Sequence, residues 1–254
     1  PEKAGGRDEA SSDGQTLCQE ASAPVKEACS SLQAAAAHIL SGDFEAAIAA
    51  AYDAQELLRC LPTGDGEAGA LHFVARVQLE RREYAAAMSA ADTARAVLRC
   101  SPSIRDDSLG REVGMLILSA QASSLLLSQR SSQGWQRDGV PDGVRGRAKV
   151  LSTAREAVAL ARRLGSSWLL AVARFVLARA CLSSGMLEDA AGALSEAIPV
   201  FRQAGDARGE ASSLLLQANL AILEGRPDSG LEAARGSVEM FRSAGDLHGA
   251  WLAQ

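Results

Sequence analysis

Aromatic side chains are scarce in this chain, at 4% of residues, and lysine occurs only as Lys3, Lys26 and Lys149. With Lys and Arg together numbering 26, arginine supplies nearly all the cations, so a cationic contact here is a planar, bidentate arginine contact. The net charge of −5 lacks the basic face that a nucleic-acid footprint needs, and no nucleic-acid partner is expected. Cys18, Cys29, Cys60, Cys100 and Cys181 form no CxxC, and no histidine stands at metal-ligand spacing from any of them. No metal and no cofactor are therefore expected. No apolar run reaches membrane-spanning length, and no secretory apolar segment is present. The sequence also lacks a phosphate-cradling loop, a dinucleotide fingerprint after a strand, and any Ser/His/acid set recognisable by motif. His38, His72 and His248 are far apart on predicted helices, where a lone histidine is ordinarily a packed or surface residue. The pair Asp106-Asp107 reads as a helix start, where carboxylates favour the dipole. Together these absences point away from an enzyme.

What is abundant is alanine, about one residue in five, a strong helix bias. Small side chains let helices approach closely, so the core is expected to be a tight helix stack. The sequence also repeats itself. Phe201-Arg202-Gln203-Ala204-Gly205-Asp206 returns forty residues later as Phe241-Arg242-Ser243-Ala244-Gly245-Asp246. At the same offset Leu160, Val200 and Met240 correspond, as do Gly165, Gly205 and Gly245. Upstream, Phe44 pairs with Tyr84, and Leu58-Arg59-Cys60 with Leu98-Arg99-Cys100. One period in the range of twenty to fifty residues marks a stacked repeat in which each unit buries its apolar face on its neighbours. Cys60 and Cys100 take equivalent places, and helices roughly 8–10 Å apart are too distant for an unstrained disulfide. Free, mostly buried thiols are expected, as suits a reducing compartment.

Residues 1–23 are Gly-, Ser-, Asp- and Glu-rich and read as a polar N-terminal tail. The repeats should occupy 24–254, the first beginning near Pro24 and turning at Gly42. Phe44, Ala47, Ile48, Ala51, Ala54 and Leu58 give the second helix its apolar stripe. The second repeat places helices at about 66–81 and 84–99. The third departs from the pattern, because the register slips by 23 residues. A loop insertion near 130–146 is expected, rich in Gly, Pro and Asp, with the next helix resuming near Arg147. The last repeats place helices at about 167–184, 187–204, 207–224 and 228–244, with a bend at Pro199 and another helix starting at Leu247. Gly205 and Gly245 should end their helices, and Asp206 and Asp246 cap the next ones.

Gly42-Asp43-Phe44-Glu45-Ala46-Ala47, followed by Ala51 and Ala54, resembles the middle of a tetratricopeptide repeat (TPR). Arg82-Glu83-Tyr84-Ala85-Ala86-Ala87 and Gly185-Met186-Leu187-Glu188-Asp189-Ala190, the latter with Leu177-Ala178 upstream, repeat the likeness. The period of about forty residues is similar to the longer variant found in kinesin light chains, polarity adaptors and bacterial regulators. The expected fold is all-α: a right-handed α-solenoid of about five TPR-like helical hairpins. The resemblance implies that the first helix of each hairpin lines a concave groove. Extended here, that face comprises His72 and Arg76, Glu112 and Leu116, Phe175 and Arg179, and Leu215 and Asn219. Arg76, Arg179 and Asn219 occupy corresponding places and could take a peptide's carboxylates and backbone amides. An ordinary solvated helix face accounts for the same pattern. A second binding candidate is the inserted loop with Trp135 and Arg137; a disordered insertion is its alternative.

The expected function is non-catalytic protein binding, as an adaptor, assembly factor or accessory subunit of a larger complex, with a protein or peptide partner. The alternative is the sensor or regulatory domain of a longer enzyme or transcription regulator. Because the chain begins at Pro1 rather than Met, an upstream segment is expected. The expected location is intracellular, either cytoplasmic or organellar (a plastid, for instance) after presequence removal.

Overall fold

A computed structural model describes residues 9–59, 64–100, 110, 112–122, 125 and 141–245. All regular structure among them is helical. The protein is an all-α solenoid of antiparallel helical hairpins, divided into two compact units, Pro1–Ile104 and Arg105–Gln254. The first unit holds α1 (Glu9–Ser41), α2 (Phe44–Arg59), α3 (Gly64–Glu80) and α4 (Tyr84–Cys100). The second holds α5 (112–122), α6 (Pro141–Leu164), α7 (Ser167–Ser183), α8 (Leu187–Ala204), α9 (Ala207–Leu223) and α10 (Pro227–Ser243). Each helix packs on the next in sequence, from α1 to α4 and again from α6 to α10.

The repeat period is enforced at the turns. Gly42, Gly185 and Gly225 sit between the helices of a hairpin with φ of 77–79°, and each N–H bonds the carbonyl three residues back at 3.1 Å. Arg82 holds the corresponding place with φ 63° and the same bond to Leu79. A residue with a Cβ is strained in this conformation, so the turn geometry of the fold overrides the local preference of Arg82. Gly165, Gly205 and Gly245 adopt it between hairpins.

Packing between the helices depends on small side chains. Ala54, Ala94, Ala157 and Ala197, at equivalent places in the second helices, are fully buried. Ser237 completes the series and donates its hydroxyl to the Ala211 carbonyl at 2.8 Å. Gly230 replaces the alanine found at position 190 for a steric reason. A Cβ there would lie 2.9 Å from Ile222 and 3.0 Å from the Ala218 carbonyl oxygen, so α10 meets α9 almost backbone to backbone. Size is also exchanged across the turn between hairpins. Phe201 is buried over Gly209, where a Cβ would come within 2.6 Å of its ring, and Leu58 lies over Gly66 at 2.9 Å. At the equivalent pair the sizes are reversed: Ala161 is fully buried and shares its cluster with Leu169.

Several boundaries differ from expectation. Helix α1 starts at Glu9, well ahead of Pro24, which lies inside it. Helix α6 starts at Pro141, so residues 141–146, assigned above to the insertion, are helical. The reason is that proline costs nothing in a first turn, where its N–H would have no partner. Helix α8 keeps its expected range, Leu187–Ala204, with Pro199 inside it. Cys181 is buried as expected, but Cys29 and Cys100 are free and exposed. Asp246 and the helix expected from Leu247 lie outside the described residues, as do Cys60 and Asp106-Asp107.

Two outcomes follow for stability. Arg82→Gly should stabilise the chain by roughly 0.5–1 kcal/mol, the left-handed strain relieved less the added freedom of the unfolded glycine. Urea midpoints measure this, and a lower midpoint for the variant would refute it. Gly209→Leu should be strongly destabilising alone, yet tolerated in a Phe201→Ala background that copies the Ala161–Leu169 arrangement. Additive losses in the double variant would deny the size exchange.

Candidate functional site

In the second unit the first helices of the hairpins, α7 and α9, lie side by side. Helix α7 follows the left-handed Gly165 and is capped by Ser166, whose hydroxyl accepts from the Leu169 N–H. Helix α9 is capped by Asp206, whose Oδ1 accepts from Gly209 at 2.9 Å. The same carboxylate accepts the indole N–H of Trp168 through Oδ2 at 3.1 Å, linking the starts of the two helices. The turn before α9 is further fixed by Arg202, which donates twice to the buried carboxylate of Glu210 at 2.8 Å.

The side of α7 that packs on α8 carries Arg174, paired with Glu196, and buried Cys181. Burial and the nearby Asp189 raise the thiol of Cys181 above its ordinary range, partly offset by Arg155. Rotating 100° per residue places Trp168, Val172, Phe175 and Arg179 along another stripe of α7, of which Val172 and Phe175 also pack against the buried Ala197 and Phe201 of α8. Trp168 is 48% exposed, and the other three are partly exposed. The equivalent face of α9 presents Arg208, Ser212, Leu215 and Asn219, none of them buried. The Arg179 guanidinium stands over the Phe175 ring, 5.8 Å from its centroid. These eight positions hold two arginines and no carboxylate in a chain whose net charge is −5. The face is an apolar strip with cationic points.

The expected groove residues therefore separate into groups. Phe175, Arg179, Leu215 and Asn219 come together on this face. His72 and Arg76 lie on α3 in the first unit. Arg76 is exposed, whereas His72 is largely buried, and desolvation together with the Arg76 charge pulls its pKa down to about 4. His72 is thus neutral at physiological pH. Glu112 is half-buried on α5. Leu116 does not line a groove: it is fully buried in a cluster with Val150, Ala154, Ala173 and Val176. Burying a leucine is worth about 1.5–3 kcal/mol, and Val113, Met115, Ile117, Leu118 and Ala120 on the other sides of α5 are buried with it. Trp135 and Arg137 lie outside the described residues. Trp168, Val172, Arg208 and Ser212 belong to the face but were not among the expected residues. Their signal was available, since they precede Phe175 and Leu215 by three and seven residues. Among the described residues no group of three or more His, Cys, Asp or Glu is placed to hold a metal. No described helix is long and apolar enough to cross a membrane.

No protein-family model matches the sequence, and no curated protein does. Solved structures do match. A Rap protein complexed with Competence and Sporulation Factor superposes with a TM-score of 0.65 at 16% identity, over 89% of this chain and 62% of that one. A thermophilic TPR protein of Thermus thermophilus gives 0.63 at 18% identity, over 87% and 95%. The Rap conjugation gene regulator of plasmid pLS20, in complex with a Phr peptide, gives 0.54 at 15%, over 85% and 53%. This chain thus spans less than two thirds of these two Rap proteins. The fold is that of a TPR-type helical repeat.

The buried state of His72 is testable through pH. Between its ordinary pKa of 6.5 and about 4, the unfolded chain binds a proton that the folded chain does not. Its contribution to stability is full above 6.5 and falls as pH drops through that window, at up to ~1.4 kcal/mol per pH unit. Urea unfolding at several pH values should show His72→Gln losing less stability on acidification than the natural chain. Parallel losses would contradict the assignment.

Proposed function

We propose that the chain is a non-catalytic protein-binding module that holds an extended acidic segment of a partner on the α7/α9 face. The observation that carries this reading is a partly exposed apolar strip, open at Trp168, with the exposed Arg208, the half-buried Arg179 and no carboxylate among the eight positions. Planar guanidinium groups pair bidentately with carboxylates, and aromatic rings at an open site act as anchors. Stacking on Phe175 orients Arg179 before a ligand arrives, which lowers the ordering cost of binding. From Trp168 to Arg179 the helix rises about 16 Å, the length of about five extended residues. The segment that suits the face has an aromatic or aliphatic side chain at one end and a carboxylate about five residues away. An adaptor, assembly factor or accessory subunit would use such a face, and the Arg76 and His72 face of the first unit would serve a separate contact.

A second reading is favoured by the structural neighbours. Two of them are Rap proteins, one complexed with Competence and Sporulation Factor and one with a Phr peptide. A peptide-sensing domain within a longer regulator would employ the same α7/α9 chemistry, with the bound peptide as signal rather than tether.

Selection from a displayed library of random peptides tests the common element. Enriched sequences should carry an acidic residue spaced from an apolar one, and Arg179→Glu should weaken them at least tenfold, about 1.4 kcal/mol. Phe175→Ala should weaken them comparably. Enrichment without acidic residues, or binding indifferent to both substitutions, would dismiss the face as the site.

A further inference from the structure

The side of α9 facing away from this strip borders a cleft of about 510 Å³ between α8, α9 and α10. Comparison with the preceding repeat explains why it is open. One period upstream, the positions equivalent to Ala191, Ser195, Leu214 and Gly236 are Leu151, Arg155, Arg174 and Glu196. There Arg174, with only 17% of its side chain exposed, runs into the structure and pairs with Glu196. In the last repeat the two long cations and the carboxylate are gone, and a space remains with Leu194 and Leu214 along its wall. Two charged side chains stand on its lining: Arg226, which pairs with Glu224, and Glu232, one helical turn from Gly236, which makes no ion pair among the described residues.

We propose that this cleft receives an arginine side chain from a basic segment of a partner protein, with Glu232 as its counter-ion. The incoming group would occupy the place that Arg174 fills from within one repeat earlier. Its methylene stem would cover the leucines, and its guanidinium would meet the carboxylate in the bidentate geometry that arginine favours. With Arg226 held by Glu224, Glu232 is the lining charge without an internal partner, and it disfavours a carboxylate-bearing ligand, so the cleft and the α7/α9 strip select opposite charges on opposite sides of α9. The proposal is independent of the function assigned to that strip.

The test uses the full chain, isotopically labelled, titrated with the peptide acetyl-Ala-Leu-Arg-Ala-Leu-amide and with its counterpart carrying Glu in place of Arg. The arginine peptide should shift the amide signals of Ala233 and Gly236, and the glutamate peptide should bind at least tenfold more weakly. Glu232→Gln, an exposed change, should weaken the arginine peptide at least tenfold. The double variant Leu214→Arg, Gly236→Glu should abolish binding, because it restores the internal pair. Space exists for it, since a Cβ at Gly236 meets nothing within 4 Å. Arg179→Glu should leave binding unchanged. Absence of shifts at Ala233 and Gly236, equal binding of the two peptides, or full affinity in Glu232→Gln would overturn the proposal. Circular dichroism checks the fold of the double variant, and Glu232→Gln decides alone if that fold is lost.

Discussion

The distance at which neighbouring helices can pack governs everything else in this molecule. Alanine at the buried positions of successive second helices, and glycine where even a Cβ would collide, bring backbones close enough to interlock without large side chains. Each removed methylene gives up some hydrophobic transfer energy, about 0.8 kcal/mol. Close packing recovers dispersion contacts in exchange and fixes the helices in one register. The scarcity of aromatics is therefore a consequence of the architecture. Where a large ring is used, as at Phe201, the opposing residue must shrink to glycine.

That constraint decides which surfaces are left over. A first helix such as α7 is held by the preceding hairpin, the following one and its own partner, so only one stripe of its circumference remains outside. On α7 and α9 that stripe carries Trp168, Phe175, Arg179 and Leu215, side chains far larger than those in the packing columns. Trp168 stands clear of the packing columns at 48% exposed, while Phe175 and Leu215 are half-buried at their margins. On the other side of α9, where Leu214 and Gly236 stand in the places of Arg174 and Glu196, a cleft is left.

Much of this was legible in the sequence, because a repeat reports its own geometry. The recurrence of Phe-Arg-x-Ala-Gly-Asp gave the helix ends, the left-handed turns and the Asp206 cap, and helix α9 begins where the phrase says it should. Counting from one copy to the next placed Phe175 and Arg179 on α7 and Leu215 and Asn219 on α9, the helices that carry them. The counting failed at Leu116, because α5 is buried around its whole circumference there and leaves no open stripe. Helical spacing from Phe175 reaches Trp168, but the contact that positions that ring, to Asp206, joins residues 38 apart and is not legible from spacing. The size exchange between Phe201 and Gly209 was invisible for a similar reason: each residue alone is unremarkable, and only their approach in space gives them meaning.

Hydroxyl-radical footprinting of the full chain, with and without a bound acidic peptide, tests the central claim most directly. Trp168, Phe175 and Leu215 should be oxidised readily in the free chain while Phe201 and Leu194 are not, and the peptide should protect the first group alone. Oxidation of Phe201 and Leu194 at comparable rates, or protection confined to residues off the α7/α9 face, would contradict it.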